Sequence, residues 1–464
     1  MIAEILMIVV FVLGYLAIAL EHQIHVDKAA SALIAGVLCW AIYVLSAGSF
    51  HTNETIPPHM FVGADGSDIG FMEAAMHYIS EYQLLHHLSE IASILFFLIG
   101  AMTIVELIDI HKGFSLITNK IETTSRPRLM WIVCILTFFM SAALDNLTTT
   151  IVMASLLKKL IANYKDRWLF AGMIVVAANA GGAWSPIGDV TTTMLWIGKQ
   201  VTAQNVIIRL ILPSLVCLIV PLMLLTPRIK GNIRRPLDVD GHDDRLPGLT
   251  TKQMRNVFIA GLCGLIFVPV FKTVTHLPPF MGMMLSLGVL WLITEIMHRK
   301  KNTNVRKRLS VITALKKVDF ASVLFFLGIL LAVGSLQSAG QLGEMAAWLN
   351  NTLGTDQEGG VYAVGILIGL FSALVDNVPL VAASMGMYEI MPTGYFAQDG
   401  LFWEFLAYCA GTGGSALIIG SAAGVAVMGI ETITFGWYLK KIAPLALIGY
   451  FAGAIFYILE HSVF

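Results

Sequence analysis

Ser-Ala-Ala-Leu-Asp-Asn at residues 141–146 and Ser-Ala-Leu-Val-Asp-Asn at 372–377 are two nearly identical stretches that decide the fold of this chain. Each places an Asp-Asn pair near the middle of a long apolar segment. A carboxylate at membrane depth costs about 2.5–3.5 kcal/mol on insertion scales. Two such residues in one local context, 231 positions apart (376 minus 145), indicate a duplicated polar site inside a membrane.

The composition supports a membrane protein. The 464 residues are 57% hydrophobic and only 13% charged, whereas soluble domains carry about 25% charged residues. The net charge of −1 argues against a nucleic-acid partner, and the five cysteines lie in apolar stretches without metal-ligand spacing. Ten apolar segments are long enough to cross a hydrocarbon core of about 30 Å, namely 2–20, 29–47, 89–110, 168–198, 205–226, 255–271, 280–298, 319–339, 402–430 and 437–459.

Basic residues predict the orientation of these spans, because short basic loops stay in the cytoplasm. The loops 111–128, 158–167, 227–255 and 299–317 are basic, whereas the loop 48–88 contains no Lys or Arg. If the N-terminus is external, only three of the 29 Lys and Arg residues lie on the outer side of the membrane. They are Lys199, Arg209 and Lys272. This assignment requires the two Asp-Asn segments, 129–160 and 361–391, to be re-entrant hairpins that enter from opposite faces.

Three sequence matches in one order form an internal repeat. Ala-Ser-Ile-Leu-Phe-Phe-Leu at 92–98 recurs as Ala-Ser-Val-Leu-Phe-Phe-Leu at 321–327. The Asp-Asn hairpin follows, and then Asn-Ala-Gly-Gly-Ala at 179–183 is echoed by Gly-Thr-Gly-Gly-Ser at 411–415. The offsets are nearly constant: 229 (321 minus 92), 231 (376 minus 145) and 232 (411 minus 179). Five spans in each half give the halves opposite orientation, a pattern typical of secondary transporters, whose substrate site lies at the repeat interface near mid-membrane.

The predicted fold class is therefore an all-α polytopic membrane protein. It consists of an inverted-topology repeat of five spans plus one re-entrant hairpin each, with broken helices. The predicted divisions are a first repeat at 1–226, a cytoplasmic linker at 227–254 and a second repeat at 255–464.

The Gly-rich stretches at 179–189 and 411–415 are predicted to break the helices that contain them. Unwound backbone survives at membrane depth only where it lines a cavity or is buried in protein. Freed carbonyl groups, together with Ser, Thr and Asn oxygens from a hairpin tip, suit a small hard cation. Asp189 and Thr192 follow the first break, and the second half has Ser421 and Gly424 in register with them.

In these paired hairpins, each followed by a Gly-Gly broken helix, the chain resembles the NhaD-type sodium/proton antiporters of the ion transporter superfamily. The superfamily also contains arsenite permeases and dicarboxylate/sodium symporters. The resemblance covers about residues 90 to 460 and implies exchange of Na⁺, and also Li⁺, for H⁺ by an elevator-type movement. It further implies a homodimer in a bacterial inner membrane, with no cofactor. The basic loops and the ten spans predict that both termini are external. In the dicarboxylate carriers the hairpin tip reads Ser-Asn-Thr, and the carboxylates found here would repel an anionic substrate.

The resemblance and the residue pattern together name the expected site. Asp145, Asp376 and Asp189 are the expected proton- and cation-exchanging carboxylates. The other expected cation ligands are Ser141, Asn146, Asn179, Gly181, Thr192, Ser372, Asn377, Gly413 and Ser415.

Two alternatives stay open at the level of sequence. One is a dicarboxylate or arsenite carrier of the same architecture. The other is a membrane subunit of an enzyme complex, which would call for facing histidines or Lys-Glu pairs within the spans. Each hairpin Asp-Asn pair taken alone would be an ordinary helix cap, and the Gly pairs would equally suit close packing between helices.

Overall fold

The computed structural model describes residues 2–51, 56–62, 68–118, 121–236, 249–374 and 376–463. These residues form helices and connecting segments, with isolated β-bridges but no β-strand among them. The first half contains α1 (Ile2–Ala19), α2 (Lys28–Leu45), α3 (Leu84–Ile110), α4 (Arg126–Leu144), α5 (Asn146–Leu160), α6 (Tyr164–Ala183), α7 (Val190–Ile197) and α8 (Ala203–Leu225).

The second half repeats the order of these eight helices, with one short helix added before its hairpin and another after its broken helix. It contains α9 (Thr251–Thr275), α10 (Pro279–His298), α11 (Phe320–Ser338), α12 (Gln341–Leu353), α13 (Glu358–Ser372), α14 (Asn377–Met387), α15 (Leu401–Gly413), α16 (Ala422–Glu431), α17 (Phe435–Lys441) and α18 (Ala443–Val463). Further short helices in the described residues are Glu21–Ile24, Ala47–Phe50, Phe71–His77, Ser115–Thr118, Thr303–Arg308 and Val311–Leu315. The helical hairpins α4–α5 and α13–α14 and the broken helices α6–α7 and α15–α16 occupy matching places. The predicted all-α repeat architecture is confirmed.

Nine helices in the described ranges are long and apolar enough to cross a membrane. Eight of them coincide with predicted spans, and the other two predicted spans are the broken helices. The ninth helix is α4, the first arm of the hairpin at 129–160, which has spanning length with 19 residues. The re-entrant path of both hairpins therefore stays a prediction.

The chain divides into two compact units, each of which combines segments from both sequence halves. Unit 1 comprises Met1–Leu95, Asp319–Gly360 and Val378–Glu389, and unit 2 comprises Phe96–Val318, Val361–Asn377 and Ile390–Phe464. The predicted division at 227–254 follows the repeats instead, and the part of that linker at 237–248 lies outside the described residues.

Unit 1 is built on α2, which packs against α1 and α11. The Trp40 indole donates a hydrogen bond to the carbonyl oxygen of Leu331 at 2.8 Å, and the Tyr43 hydroxyl donates to that of Ser338 at 2.9 Å. Polar tips of otherwise buried aromatic rings thus find partners inside the unit, as buried polar groups require.

Unit 2 contains both Asp-Asn tips. The hairpin α4–α5 packs against α6, and α6 packs against α15 and α16. The helices α8 and α18 form a long pair beside them, as do α9 and α10. All residues of the expected site belong to this unit, because Asn377 is the last residue of its middle segment.

The helix breaks begin later than predicted. Helix α6 continues through the Gly pair to Ala183, so the first break is 184–189, and α15 continues to Gly413, so the second is 414–421. A Cβ atom on Gly181 would overlap the carbonyl oxygen of Phe138, and one on Gly413 would overlap that of Gly369. These glycines permit close approach of a hairpin arm to a helix, and they also lie in the last turn of that helix, where carbonyl groups have no i+4 partner. Their role as cation ligands stays a prediction.

Candidate functional site

A duplicated hydrogen bond fixes each hairpin to the broken helix that follows it. The Ser141 hydroxyl donates to the carbonyl oxygen of Ala178 at 2.6 Å, and the Ser372 hydroxyl donates to that of Ala410 at 3.0 Å. Both serines are fully buried. The repeat offset of 231–232 therefore applies to individual hydrogen bonds as well as to the sequence.

The two breaks end in the same backbone conformation with different side chains. Asp189 is the N-cap of α7 with φ −146° and ψ 145°, and Ser421 is the N-cap of α16 with φ −149° and ψ 153°. Asp189 Oδ1 accepts from the backbone N–H and the hydroxyl of Thr191 at 2.9 and 2.7 Å. Ser421 Oγ accepts from the backbone N–H of Gly424 at 3.2 Å. Only the first half thus places a carboxylate at the break.

Both hairpin tips converge on the Asp189 carboxylate. The Asn146 amide nitrogen donates to Asp189 Oδ2 at 2.5 Å, and the Asn377 amide nitrogen lies 3.4 Å from both carboxylate oxygens. Asp189 is 2% exposed. Among the residues that the structure describes, no Lys, Arg or His forms an ion pair with it. The carboxylate is therefore buried among neutral donors.

Asn179 links the two halves of the site. Its side-chain oxygen accepts from the Asn146 amide at 3.1 Å, and its amide nitrogen donates to Ser415 Oγ at 3.0 Å and Ser421 Oγ at 2.9 Å. The matching residue of the second half is Gly411, which has no side chain to return the contact. One continuous network thus runs from the first hairpin through α6 to the second break.

Asp145 lies at the N-terminus of α5 in a conformation that is unusual for a residue other than glycine. Its φ is +85°, and its carboxylate accepts from the backbone N–H and the hydroxyl of Thr148 at 2.7 and 2.8 Å. These contacts make it a helix cap, which a positively charged helix N-terminus favours. Asp376 is half-buried beside Asn377 at the other tip.

Three buried hydroxyl oxygens near the network have no hydrogen-bond partner among the described residues. They belong to Thr192, which was an expected ligand, and to Thr149 and Thr150, which were not. The run of three threonines after the Asp-Asn pair, at 148–150, is the sequence signal that points to the latter two. Because these threonines are close in sequence to Asn146 and Asp189, their hydroxyl oxygens are further candidate ligands for a cation.

Taken together, the network contains one buried carboxylate, three amides and several hydroxyl groups. A carboxylate away from water is stable when a proton or a cation neutralises it. Oxygen atoms of carboxylate, amide and hydroxyl groups are the ligands that hard cations prefer. The arrangement suits reversible binding of a small monovalent cation or a proton at Asp189.

Comparisons with known proteins show that this chain is similar to transporters. A family model described as citrate transporter matches residues 1–403. Sodium/proton antiporter 1 of Arabidopsis thaliana is 43% identical over 99% of this chain and 73% of its own length. The Na(+)/H(+) antiporter NhaD of Alkalimonas amylolytica is 30% identical over 96% of this chain and 88% of its length. The predicted resemblance to NhaD-type proteins and the predicted transporter class are confirmed.

A solved structure supports the fold. The YdaH transporter of Alcanivorax borkumensis, described as having an unusual topology, superposes with a TM-score of 0.56 over 92% of this chain and 97% of its own. Its sequence identity of 14% limits this likeness to the fold.

Proposed function

This chain belongs to the citrate transporter family, and we propose that it exchanges Na⁺ for H⁺ across a membrane as a secondary active transporter. The observation that carries the proposal is the buried Asp189 carboxylate, which the amides of both hairpin tips, Asn146 and Asn377, approach. The names of the relatives with 43% and 30% identity support the same exchange.

Competition for one carboxylate couples the two fluxes. Inside protein, the charge of Asp189 is compensated either by a proton bound to it or by a cation beside it. Because both occupy the same oxygens, loading of one favours release of the other. No second coupling device is needed for opposed movement.

The amides of Asn146 and Asn377 suit both loaded states. In the arrangement seen here their nitrogens face the carboxylate. Rotation of an amide by half a turn presents its oxygen instead, which converts a donor to the free carboxylate into a ligand for the cation. Thr192 and the serine hydroxyls supply further oxygens, and Asp145 and Asp376 place two more carboxylates at the tips.

Several finer features belong to the same proposal. They are transport of Li⁺, a homodimer, an elevator-type movement, a bacterial inner-membrane location and external termini. Their support is the resemblance to NhaD-type antiporters and the distribution of basic loops, which predicts the termini.

The test is a measurement of ΔpH in everted membrane vesicles to which Na⁺, Li⁺ and K⁺ are added in turn. Addition of Na⁺ or Li⁺ to vesicles that contain the parent protein should dissipate the pH gradient. Asp189→Asn should abolish this dissipation at equal expression, because amide replaces the exchangeable carboxylate without changing its size. The matched control is Ser421→Ala at the equivalent cap, which should keep most of the exchange. Parent-like exchange by Asp189→Asn, or no cation response by the parent, contradicts the proposal.

A second candidate is uptake of a citrate-like anion, which the name of the family model favours. The carboxylate of Asp189 at the centre of the network weighs against it, because a bound anion would face a like charge in a site of low polarity. Addition of citrate to the same vesicles, with and without Na⁺, separates the two candidates.

A further inference from the structure

The second broken helix ends in a sharp bend that lays a short amphipathic helix across its end. Helices α16 and α17 meet at 116°, so α17 runs far from the direction of the preceding membrane segment. Phe435 and Leu439 on α17 are 42% and 44% exposed. Lys440 and Lys441 follow at its exposed C-terminus. Exposed apolar and basic side chains on one short helix are typical of a helix at the membrane–water interface.

Aromatic and ionic contacts hold α17 against the start of α6. The rings of Trp168 and Trp437 meet edge to face at 5.4 Å. The Trp168 indole donates to the carbonyl oxygen of Glu431 at 2.8 Å, and the Arg167 guanidinium donates to the Glu431 carboxylate at 2.8 Å. Because Glu431 is buried, this ion pair fixes the end of α16, and Trp437 beyond it, in one place.

The linker between the sequence halves reaches the same region. The backbone N–H of Ala162, just after the first hairpin, donates to the carbonyl oxygen of Arg234 at 2.9 Å. Three segments that are distant in sequence therefore meet: the end of the first hairpin, the linker and α17. We call their basic and aromatic residues the Trp437 surface, which consists of the exposed Lys158, Tyr164, Lys165, Arg234, Lys440 and Lys441 and the half-buried Trp168 and Trp437.

At the described helix ends that form the Trp437 surface, the acidic residues are already paired with arginines, and the linker aspartates Asp238, Asp240, Asp243 and Asp244 lie outside the described residues. The segments 158–168 and 431–441 contain only two acidic residues, Asp166 and Glu431. Asp166 pairs with Arg126 at 2.6 Å, and Glu431 pairs with Arg167. Lys158, Lys165, Lys440 and Lys441 are exposed, so several positive charges face outward from one patch.

We propose that the Trp437 surface binds the phosphate headgroup of an anionic phospholipid. Tryptophan and tyrosine concentrate at the headgroup level of membranes, where an apolar ring and a polar tip are both satisfied. Clusters of Lys and Arg at that level attract anionic lipids, with about 1 kcal/mol for each basic residue near the surface. Phe435 and Leu439 give the acyl chains an apolar contact beside Lys440 and Lys441, which a nucleic acid or a soluble anion would not use.

The lipid would contact the base of the first hairpin directly, because Lys158 lies in the last turn of α5. Anionic lipid would therefore join this hairpin to α17, whereas the Arg167–Glu431 ion pair joins α6 to the end of α16. The inference rests on contacts at the ends of these helices and does not depend on the chemistry at Asp189.

Native mass spectrometry of the purified full-length protein in detergent tests the proposal. The probes are phosphatidylglycerol and phosphatidylcholine, added separately at equal concentration. The parent should retain phosphatidylglycerol in preference to phosphatidylcholine. The double variant K440Q/K441Q should lose affinity for phosphatidylglycerol on the order of thirtyfold. The matched control K300Q/K307Q removes two exposed lysines from a different basic loop and should keep it.

Three results would overturn the proposal. They are equal retention of both lipids by the parent, an unchanged affinity of K440Q/K441Q, and equal losses in both double variants, which would indicate general charge attraction. Apparent melting temperatures in the absence of lipid verify that the variants are folded. If K440Q/K441Q is unstable, the single change Lys441→Gln with the control Lys300→Gln replaces the pair, with an expected loss of about fivefold.

Discussion

The amide nitrogen of Asn377 lies 3.4 Å from both carboxylate oxygens of Asp189, although 188 positions separate the two residues in the chain. Asn377 is the first residue of α14 in the hairpin of the second half, and Asp189 is the N-cap of α7 in the first half. This contact, with the shorter one from Asn146, makes the two polar repeats a single site around one carboxylate.

We expect Asn377→Ala to weaken cation binding without unfolding the protein. A ligand that binds the folded state raises its apparent stability in proportion to the logarithm of its concentration over Kd. The rise of the melting temperature between low and high NaCl, at constant ionic strength, should therefore shrink in this variant by an amount equal to a roughly tenfold weaker Kd, about 1.4 kcal/mol. Asn351→Ala, at an exposed position of α12, is the control. An unchanged salt response of Asn377→Ala would place the cation elsewhere.

Two substitutions of Asp145 should distinguish its role as a helix cap from the role of its charge in exchange. Asp145→Asn keeps a good N-cap residue that tolerates positive φ, so expression and melting temperature should stay near those of the parent while Na⁺-dependent proton release falls strongly. Asp145→Ala should additionally lose about 1 kcal/mol of stability with the cap. Vesicle exchange and thermal melting are measured in parallel. Full exchange in Asp145→Asn would show that the residue serves only as a cap.

Replacement by alanine should lower the stability of the protein at Gly413 and raise it at Gly429. A Cβ atom on Gly413 would overlap the carbonyl oxygen of Gly369, whereas one on Gly429 would meet open space in the interior of α16. Gly413→Ala should destabilise by on the order of 3 kcal/mol or prevent folding, and Gly429→Ala should stabilise by up to about 1 kcal/mol. Yield of monodisperse protein and apparent melting temperature measure both. A stable Gly413→Ala would remove the close-approach argument for the Gly pairs.

His111 should make the stability of unit 2 depend on pH. It is buried, its Nδ1 bonds to the carbonyl oxygen of Leu107 at 2.7 Å, and its Nε2 lies 2.8 Å from Nε2 of His298. A hydrogen on Nδ1 leaves its Nε2 as an acceptor, so His298 supplies the shared hydrogen. Burial lowers the pKa of His111 from 6.5 to about 4, with a smaller contribution from Lys301 in the same direction.

The sign of this dependence follows from proton binding. Between pH 6.5 and about 4 the unfolded chain binds the proton and the folded chain does not, so stability is present above pH 6.5 and is lost as the pH falls through this window. His111→Gln should therefore reduce the drop in apparent melting temperature between pH 7.5 and pH 5. His59→Gln, at an exposed position, is the control. An identical drop in His111→Gln and the parent would contradict the buried neutral pair.

Single cysteines should report the path of the hairpins. Replacements at Lys120, which lies outside the described residues, and at Lys165 should both react with an impermeant thiol reagent from the cytoplasmic side. Those at Asp356, the exposed neighbour of the buried Thr355, and at the exposed Gln398 should both react from the external side. Opposite labelling across either hairpin would mean a full crossing, for which α4 has sufficient length.

The membrane class, the repeat and the order of its elements were predictable from sequence alone. These properties are local: an apolar stretch must be long enough to cross the bilayer, and a carboxylate within it is costly wherever the chain folds. Asp145, Asn146, Asp376 and Asn377 stand out for that reason, and so does Asp189 after the first break. The sequence left two explanations of the Gly pairs open, a helix break and a close helix contact, and the structure places both features there, because each pair ends a helix and also touches a hairpin arm.

Only the tertiary structure decided which of these residues meet. Asn377 reaches Asp189, Asn179 reaches Ser421, and Arg234 reaches Ala162 across separations that no local pattern encodes. The sequence repeat suggested two equivalent sites, whereas packing joins them at a position where the two halves differ, with Asp189 in one half and Ser421 in the other. Symmetry of the backbone is a property of the repeated sequence, but the partner of each polar side chain depends on how the helices pack together.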